Sequence, residues 1–503
     1  MAVVDAIDDE PHGAMDGYDE AYAAPGAPRA PYEQLLGALG EVDLSALRMR
    51  VWERMAEIGA TFGTQPFGVD PVPRILAASE WATLSAGLSQ RVRALNAFVR
   101  DAYGDRRIVA AGVMPQQVIE QADGYEPDLR GRLPDGAVPI GVAGLDVVRD
   151  TCGTLLVLED NLRMPSGFTY AVAAQEVVAE SLPIAGAARH DLADGVPPAL
   201  AATLRDAAPQ RRGRSGSGSA AARSAAARSI ASGSAPAGSA RRGSSSDPCI
   251  VLLSEGSSGS TWYEHTTAAR WLGIPAVTLG DLRRHGPDVV ATLADGSTRR
   301  VDVIYRRSDE ERLRGDDGRP TAVAQLLLEP WLTGRVAVVN AFGTGVADDK
   351  LAHAYVEAMI RFYLREEPLL GSVPTLDLSE PDVAARVLAD PRSYVVKPRS
   401  GEGGRGVVVC AHADAADVRR IVAEVRAAPE RWIAQETVAL SHHPTVVDGR
   451  LAPRHIDLRP FVFATRSGET VVPGGLTRVA WEAGALVVNS SQQGGAKDTW
   501  VLR

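Results

Sequence analysis

Between residues 81 and 103 the apolar side chains Leu84, Leu88, Val92, Leu95, Phe98 and Val99 recur at intervals dominated by three and four. That spacing places them on one face of an α-helix. Gln90, Arg91 and Asn96 interrupt the same stretch and read either as solvated helix positions or as substrate contacts. The pattern is mainly helical from about 31 to 125, after an acidic, Ala-, Gly- and Pro-rich segment at 1–30 that is expected to be mobile. Near 138 the period changes. Residues 140–148 and 154–158 form two short apolar runs around Cys152-Gly153, which predicts a β-hairpin.

From about 205 to 247 the chain is Ser, Ala, Gly and Arg with almost no large apolar group. Burial cannot offset the entropy of ordering such a segment, so it reads as a disordered insertion. Strand, helix and strand patterns then follow at 250–253, 261–272 and 274–279, a βαβ unit, with a further strand at 301–305. Beyond about 336, helices at 352–364 and 415–428 alternate with strands at 394–397, 407–410, 432–435, 455–464 and 486–489. The fold class expected is α/β, or mixed α+β.

Composition narrows the functions. The 503 residues allow two to four domains, and a net charge of -10 with 45% hydrophobic residues gives no reason to expect a nucleic-acid partner. The N-terminus lacks a signal-peptide pattern, and no apolar run is long enough to span a membrane, so a cytoplasmic protein is expected. Cys152, Cys249 and Cys410 show no metal-ligand spacing and read as reduced, partly buried thiols.

Three groups of residues carry chemistry. In 394–407, YVVKPRSGEGGRGV, Gly401, Gly403 and Gly406 match GxGxxG, with Gly404 among them. The loop runs into valines, so the element is strand, loop, strand. A dinucleotide-binding loop would open a helix instead. Such a flap covers phosphates with backbone N–H groups, and Lys397 precedes it on the strand, an order unlike that of a protein kinase or a Walker loop. Second, Glu159 and Asn161 share one strand face, and Asp146 lies on the strand expected to pair with theirs. Together they offer hard oxygen ligands for magnesium, or a satisfied polar hairpin end. Third, Arg459 and Arg478 are placed to hold a carboxylate or phosphate bidentately, or to form ion pairs with Asp457.

Together these residues resemble the ATP-grasp superfamily. Lys397 with its flap resembles the lysine strand, and 433–436, with Gln435 and Glu436, the hinge that meets adenine. Asp457-Leu458-Arg459 resembles the third element, and Arg478, Asn489, Gly494 and Gly495 the fourth. The acidic metal hairpin should follow, but it lies at 146–161, near the other end of the chain. That order resembles the circularly permuted type 2 ATP-grasp proteins and, more distantly, glutathionylspermidine synthetase.

The resemblance implies a permuted ATP-grasp segment at 126–204, a pre-ATP-grasp α/β domain at 248–335 and a nucleotide-binding region at 336–503. It also implies Lys350 as a second nucleotide lysine, ATP and Mg as cofactors, and Asp146, Glu159 and Asn161 as metal ligands. Arg163, Arg459 and Arg478 would orient a carboxylate or the transferred phosphoryl group. The activity implied is ligation of small-molecule or peptide carboxylate and amine (or thiol) substrates through an acyl phosphate. Phosphotransfer to a hydroxyl or amine, and a non-catalytic nucleotide-binding scaffold, are the alternatives. Oligomeric state is not legible.

Overall fold

The computed structural model describes residues 17–182, 184, 188–210, 247–308, 312–401, 404–486 and 494–503. The chain is a mixed α/β protein built around three main sheets. The largest has ten strands. Its path runs from Gly371–Ser372 through Leu155–Asn161, Val142–Arg149, Arg450–Arg459, Leu476–Val479 and Gly495–Val501 to Val69–Leu76. Strands from both ends of the sequence thus alternate in one sheet, with Leu458 paired to Val147 where the two halves meet.

A four-stranded antiparallel sheet carries the flap: Thr375–Asp377, Trp432–Glu436, Tyr394–Pro398 and Val408–Val409, in that order. Its own small core joins Val396, Cys410 and Ala434 to Val387, Ile421 and Val425 from the helices Pro381–Ala389 and Ala415–Ala427. Amphipathic helices thereby cover the apolar face of the sheet. The third sheet is parallel, in the order Ala337–Val339, Val303–Arg307, Ile250–Ser254, Ala276–Val277, with helix Trp262–Leu272 in the βαβ crossover.

The helix expected at 81–103 spans Ala78–Tyr103 and buries Leu84, Leu88, Val92, Leu95, Phe98 and Val99. Its polar residues differ from expectation. Gln90, Arg91 and Asn96 are all buried, because each satisfies a distant partner. Asn96 exchanges two hydrogen bonds with the backbone of Ile140, and Gln90 accepts from Leu369 N at 2.9 Å.

Four boundaries also change. The N-terminal segment is packed from residue 17, where Glu20 meets Arg74 at 2.5 Å and Arg149 at 3.1 Å in the interior. Burial pushes the Glu20 carboxyl up, but the two guanidinium groups outweigh it and hold it at about 2. The mainly helical region contains the strand Val69–Leu76, whose Pro71 and Pro73 obscure its pattern. Prolines are tolerated there because it is the outer strand of the path. The run expected at 352–364 breaks into short turns, Lys350–His353, Val356–Met359 and Ile360–Leu364. Pro460 splits the strand expected at 455–464.

Helix Leu192–Ala207 runs past the expected start of the Ser/Ala/Arg insertion, and 211–246 lie outside the described residues. So does most of the strand expected at 486–489. Cys152 is exposed, in the hairpin turn, rather than partly buried.

Candidate functional site

The acidic hairpin forms because Asp150 caps its turn, accepting from the N–H groups of Cys152 and Thr154, both at 2.8 Å, while Gly153 takes φ 86°. The register sets Asp146 directly opposite Glu159 and Gly144 opposite Asn161. Since alternate residues share a face, Asp146, Glu159 and Asn161 point the same way. Asp160 points to the other face, where Arg91 binds it bidentately at 2.6 and 2.8 Å and His353 Nδ1 lies 2.7 Å away.

The hairpin is also fixed from below. Asn340 accepts from Gly141 N and Val142 N at 2.9 and 2.8 Å and donates to the carbonyls of Val142 and Leu162, each at 2.6 Å. One side chain therefore staples the start of the first strand to the end of the second.

Asp146 is buried beneath two arginines. Arg459 binds it bidentately at 2.6 and 2.9 Å, and Arg478 Nη2 reaches it at 2.8 Å while also pairing bidentately with Asp457. Burial pushes the Asp146 carboxyl up, but Arg459 and Arg478 outweigh it and hold it at about 2. Burial lowers the Arg478 pKa, and Asp146 and Asp457 more than restore it, so the guanidinium stays charged. The ion-pair alternative thus holds for Arg478, which binds Asp457, while Arg459 pairs with Asp146 instead, and both arginines converge on Asp146.

The two lysines meet around Glu159. Lys350 Nζ lies 3.0 Å from Glu159 Oε1 and donates to the flap carbonyl of Gly401 at 2.7 Å. Lys350 opens a short helix capped by Asp349, whose carboxylate accepts from Leu351 N at 2.8 Å and from Arg399 Nε at 3.1 Å. Lys397 is buried on its strand, and its ammonium makes no hydrogen bond or ion pair among the described residues. Burial pulls its pKa down to about 8, with Glu159 opposing that shift and Lys350 adding to it. For Glu159, burial raises the pKa, but the attraction of Lys350 and Lys397 prevails and lowers it. Glu159, Lys350, Lys397 and Gln435 line one cleft together with Leu158, Asp160, Asp348, Asp349 and His353.

The flap hairpin pairs Val395 with Val409 and Val396 with Val408. Gly401, Gly404 and Gly406 adopt φ of 113°, 73° and 76°, which a side chain would strain. Gly403 lies outside the described residues, as does Asn489. Gln435 lies buried on the strand Trp432–Glu436 with its side chain in the cleft, while Glu436 is exposed and its N–H bonds Pro374 O at 3.1 Å. Arg163, at the hairpin exit, is held by Asp348 at 2.8 Å. His265 is a satisfied core histidine between Ser254 Oγ at 2.8 Å and Thr261 Oγ1 at 3.1 Å, and burial lowers its pKa to about 3.

The donor set suits a hard cation. Glu159 offers carboxylate oxygen and Asn161, on the same strand, an amide oxygen. A carboxylate has about four acceptor directions. Arg459 and Arg478 take three on Asp146, leaving one for a metal. Among the described residues, no three His, Cys, Asp or Glu side chains form a cage of their own. Magnesium bound here would draw its remaining ligands from water and phosphates.

Sequence reasoning missed Asp160, His353, Asp348 and Asn340 as parts of the site. A charged residue between two ligand candidates on a strand must project from the opposite face. That placement calls for a buried counter-charge for Asp160, although nothing local identifies Arg91.

A sequence profile of the family described as "Circularly permuted ATP-grasp type 2" matches residues 73–220 and 233–480. A Frankia alni protein named "Putative glutamate--cysteine ligase 2-3" is 41% identical over 97% of this chain and 54% of its own length. A Frankia casuarinae protein named "Putative glutamate--cysteine ligase 2-2" has the same identity and coverage, so the chain spans about half the length of these curated relatives. "Uncharacterized protein sll0335" of Synechocystis is 35% identical over 97% of both chains. No helix among the described residues is long and apolar enough to cross a membrane. With strands from both ends of the sequence assembling one site, and with this match over most of its length, the chain belongs to the circularly permuted type 2 ATP-grasp family.

Proposed function

We propose that this protein is an ATP-dependent, ADP-forming ligase that activates a carboxylate as an acyl phosphate and joins it to an amine or thiol. The observation that carries this reading is the convergence of Lys350 and Lys397 on Glu159 beneath the glycine flap. Two cations beside a hard-oxygen cluster suit a polyphosphate better than any uncharged ligand. The names of the Frankia relatives favour glutamate as the carboxylate and cysteine as the amine.

In the first step a carboxylate oxygen of the substrate attacks the γ-phosphorus, forming the acyl phosphate and breaking the bond to the β-phosphate oxygen. In the second, the amine attacks the acyl carbon, phosphate leaves, and the ammonium proton passes to solvent. Lys350 and Lys397 bind and orient the phosphates. Arg459 and Arg478, held in place by Asp146, present guanidinium edges to the carboxylate and the developing charge. Arg163 guards the hairpin exit, fixed by Asp348. The flap excludes water from the acyl phosphate. Magnesium, held by Glu159, Asn161 and the last acceptor of Asp146, would neutralise phosphate charge.

The test is ADP release from ATP with and without magnesium, using glutamate and cysteine first and then a panel of carboxylates and amines, with the product identified by mass spectrometry. A condensed product with stoichiometric ADP is expected, lost in Lys397→Ala. A phosphorylated product that persists without any amine would replace ligation by phosphotransfer.

A further inference from the structure

Helix Leu192–Ala207 lies against the strand Ala337–Val339, and between them is a cavity of about 40 Å³ that the chemistry above does not use. Gly141, Trp331 and Ala464 close it from the other sides, and it shares no lining residue with the nucleotide cleft. On a scale of about 10–15 Å³ for one water, it has room for about three waters or a solute of about four or five non-hydrogen atoms.

The walls are mostly apolar, but hydrogen-bonding groups meet there. Thr203 is buried, and its Oγ1 has no partner among the described residues. Such a hydroxyl is costly unless something bonds it. Ala337–Val339 is the outer strand of its parallel sheet. Ala337 N–H points inwards, to Asp302 O at 2.9 Å, and the alternation of a strand turns the N–H and C=O of Val338 to the free edge. Val338, like Thr203, lines the cavity. At its mouth Arg466 N donates to Asp206 Oδ2 at 2.8 Å, and the Arg466 guanidinium is engaged by Asp206, Gly136 O and Ala208 O.

A ligand that bonds both a threonine hydroxyl and a strand edge must donate and accept. A carboxylate only accepts, and its charge would lie among apolar walls beside Asp206. An ammonium only donates. A neutral amide does both with one planar group, and a short alkyl chain on it fills the space against Trp331 and Ala464. We propose that this cavity binds a small neutral amide and that the bound ligand braces the hairpin of Val142–Arg149 and Leu155–Asn161 through Asn340. The link is short. Val339 lines the cavity, and the next residue, Asn340, bonds the N–H groups of Gly141 and Val142 and the carbonyls of Val142 and Leu162. Gly141 lines it too, with so little slack that a Cβ there would come 3.0 Å from Thr203 Cγ2 and 2.8 Å from Val339 Cγ1. A ligand held between Thr203 and Val338 therefore restrains both sides of the Asn340 staple. Binding is independent of the ATP-site reading, and its effect bears on that reading because the hairpin carries Asp146, Glu159 and Asn161.

The experiment titrates propanamide, propanoate and 2-butanone into the intact chain by ligand-observed NMR, and follows amide exchange in the hairpin by mass spectrometry. Two variants accompany the wild type. Thr203→Val removes the hydroxyl at nearly constant volume, and Ala207→Leu fills the cavity from the same helix. Propanamide should bind the wild type with a Kd of about 1 mM, a scale ordinary for so few atoms, and several-fold more tightly than the other two. Thr203→Val should weaken it several-fold and Ala207→Leu about tenfold or more. At ten times Kd, propanamide should slow exchange in Val142–Arg149 and Leu155–Asn161 by up to about tenfold, as a ligand of the closed state alone does.

No binding of propanamide, equal binding in all three proteins, or propanoate binding as tightly overturns the inference. Binding that leaves hairpin exchange unchanged overturns it too, since the cavity then has no hold on the staple. Should Ala207→Leu fail to fold, Thr203→Val decides alone. Affinity and exchange are both read without nucleotide, so failure here leaves the ATP-site reading standing, and an absence of ADP release leaves this inference standing.

Discussion

The ammonium of Lys350 lies 3.0 Å from the carboxylate of Glu159, and this pair joins halves of the site that are far apart in sequence. The same ammonium donates to Gly401 O, so one side chain ties the acidic hairpin to the flap. Lys350→Met should therefore weaken ATP binding about tenfold or more, since hydrogen bonds to charged groups are worth about 1.5–3 kcal/mol. It should also speed amide exchange in the flap strand Tyr394–Pro398. Calorimetric titration and hydrogen exchange measure the two effects. Wild-type affinity in the variant would remove Lys350 from the phosphate site.

Arg478→Leu leaves Asp146 and Asp457, both buried, with less compensation. Breaking such a pair by removing one partner costs about 3–5 kcal/mol, and urea unfolding at neutral pH should show a loss of that order. The pH dependence has a definite sign. Asp146 is held at about 2 in the folded state against an ordinary 3.8, so its stabilisation is complete above about pH 4 and is lost as pH falls through 2. The gap between wild type and variant should accordingly narrow as pH falls from 4 towards 2. A gap independent of pH would mean that the arginine acts through packing alone.

Lys397 gives two opposite pH trends. Burial lowers it to about 8, so the fraction carrying a charge for ATP phosphates declines above that pH. ATP affinity should fall through pH 8, and Lys397→Arg, charged throughout, should flatten the decline. Folding stability moves the other way. Between about 8 and the ordinary 10.5 the unfolded chain binds the extra proton, so the cost of burying this ammonium diminishes as pH rises. Affinity that stays flat in the wild type from pH 7 to 9.5 would show that Lys397 does not meet the phosphates.

How much of this could be read from the sequence depended on how local each signal was. Glu159 and Asn161 were legible because two-residue spacing on a strand fixes a shared face, and the structure brings Asp146 opposite. The flap was legible because its glycines run into a valine strand, and Gly401, Gly404 and Gly406 do take left-handed φ. The permuted order was visible in the positions of the motifs. By contrast, the strand Val69–Leu76 was hidden by two prolines that only an outer position tolerates. Asn340 and Arg91 act through partners far along the chain, which periodicity cannot reveal. The packed segment from residue 17 was equally opaque, because its acidic composition gave no sign that Glu20 would find Arg74 and Arg149.

Arg91 offers the sharpest test of how the hairpin is held from its far side. It is wholly buried and takes both oxygens of Asp160, the residue between the two candidate metal ligands Glu159 and Asn161. Its Nη1 also donates to Ser372 Oγ at 2.9 Å, tying down the neighbouring strand. Arg91→Met keeps much of the side-chain volume but strands the carboxylate, and should cost about 3–5 kcal/mol. Asp160→Asn added to it removes the stranded charge and should return part of that loss. A double-mutant cycle by urea unfolding therefore separates the charge pair from packing, with a coupling of about 0.5–3 kcal/mol expected for residues in contact. Additive effects, with no coupling, would show that the hairpin does not depend on this pair. Because Arg91 does not line the cleft itself and meets it through Asp160 and His353, ATP binding should suffer only as far as Glu159 and His353 lose their positions. Affinity should thus recover in step with stability in the double variant, and a recovery of one without the other would separate the scaffold from the site.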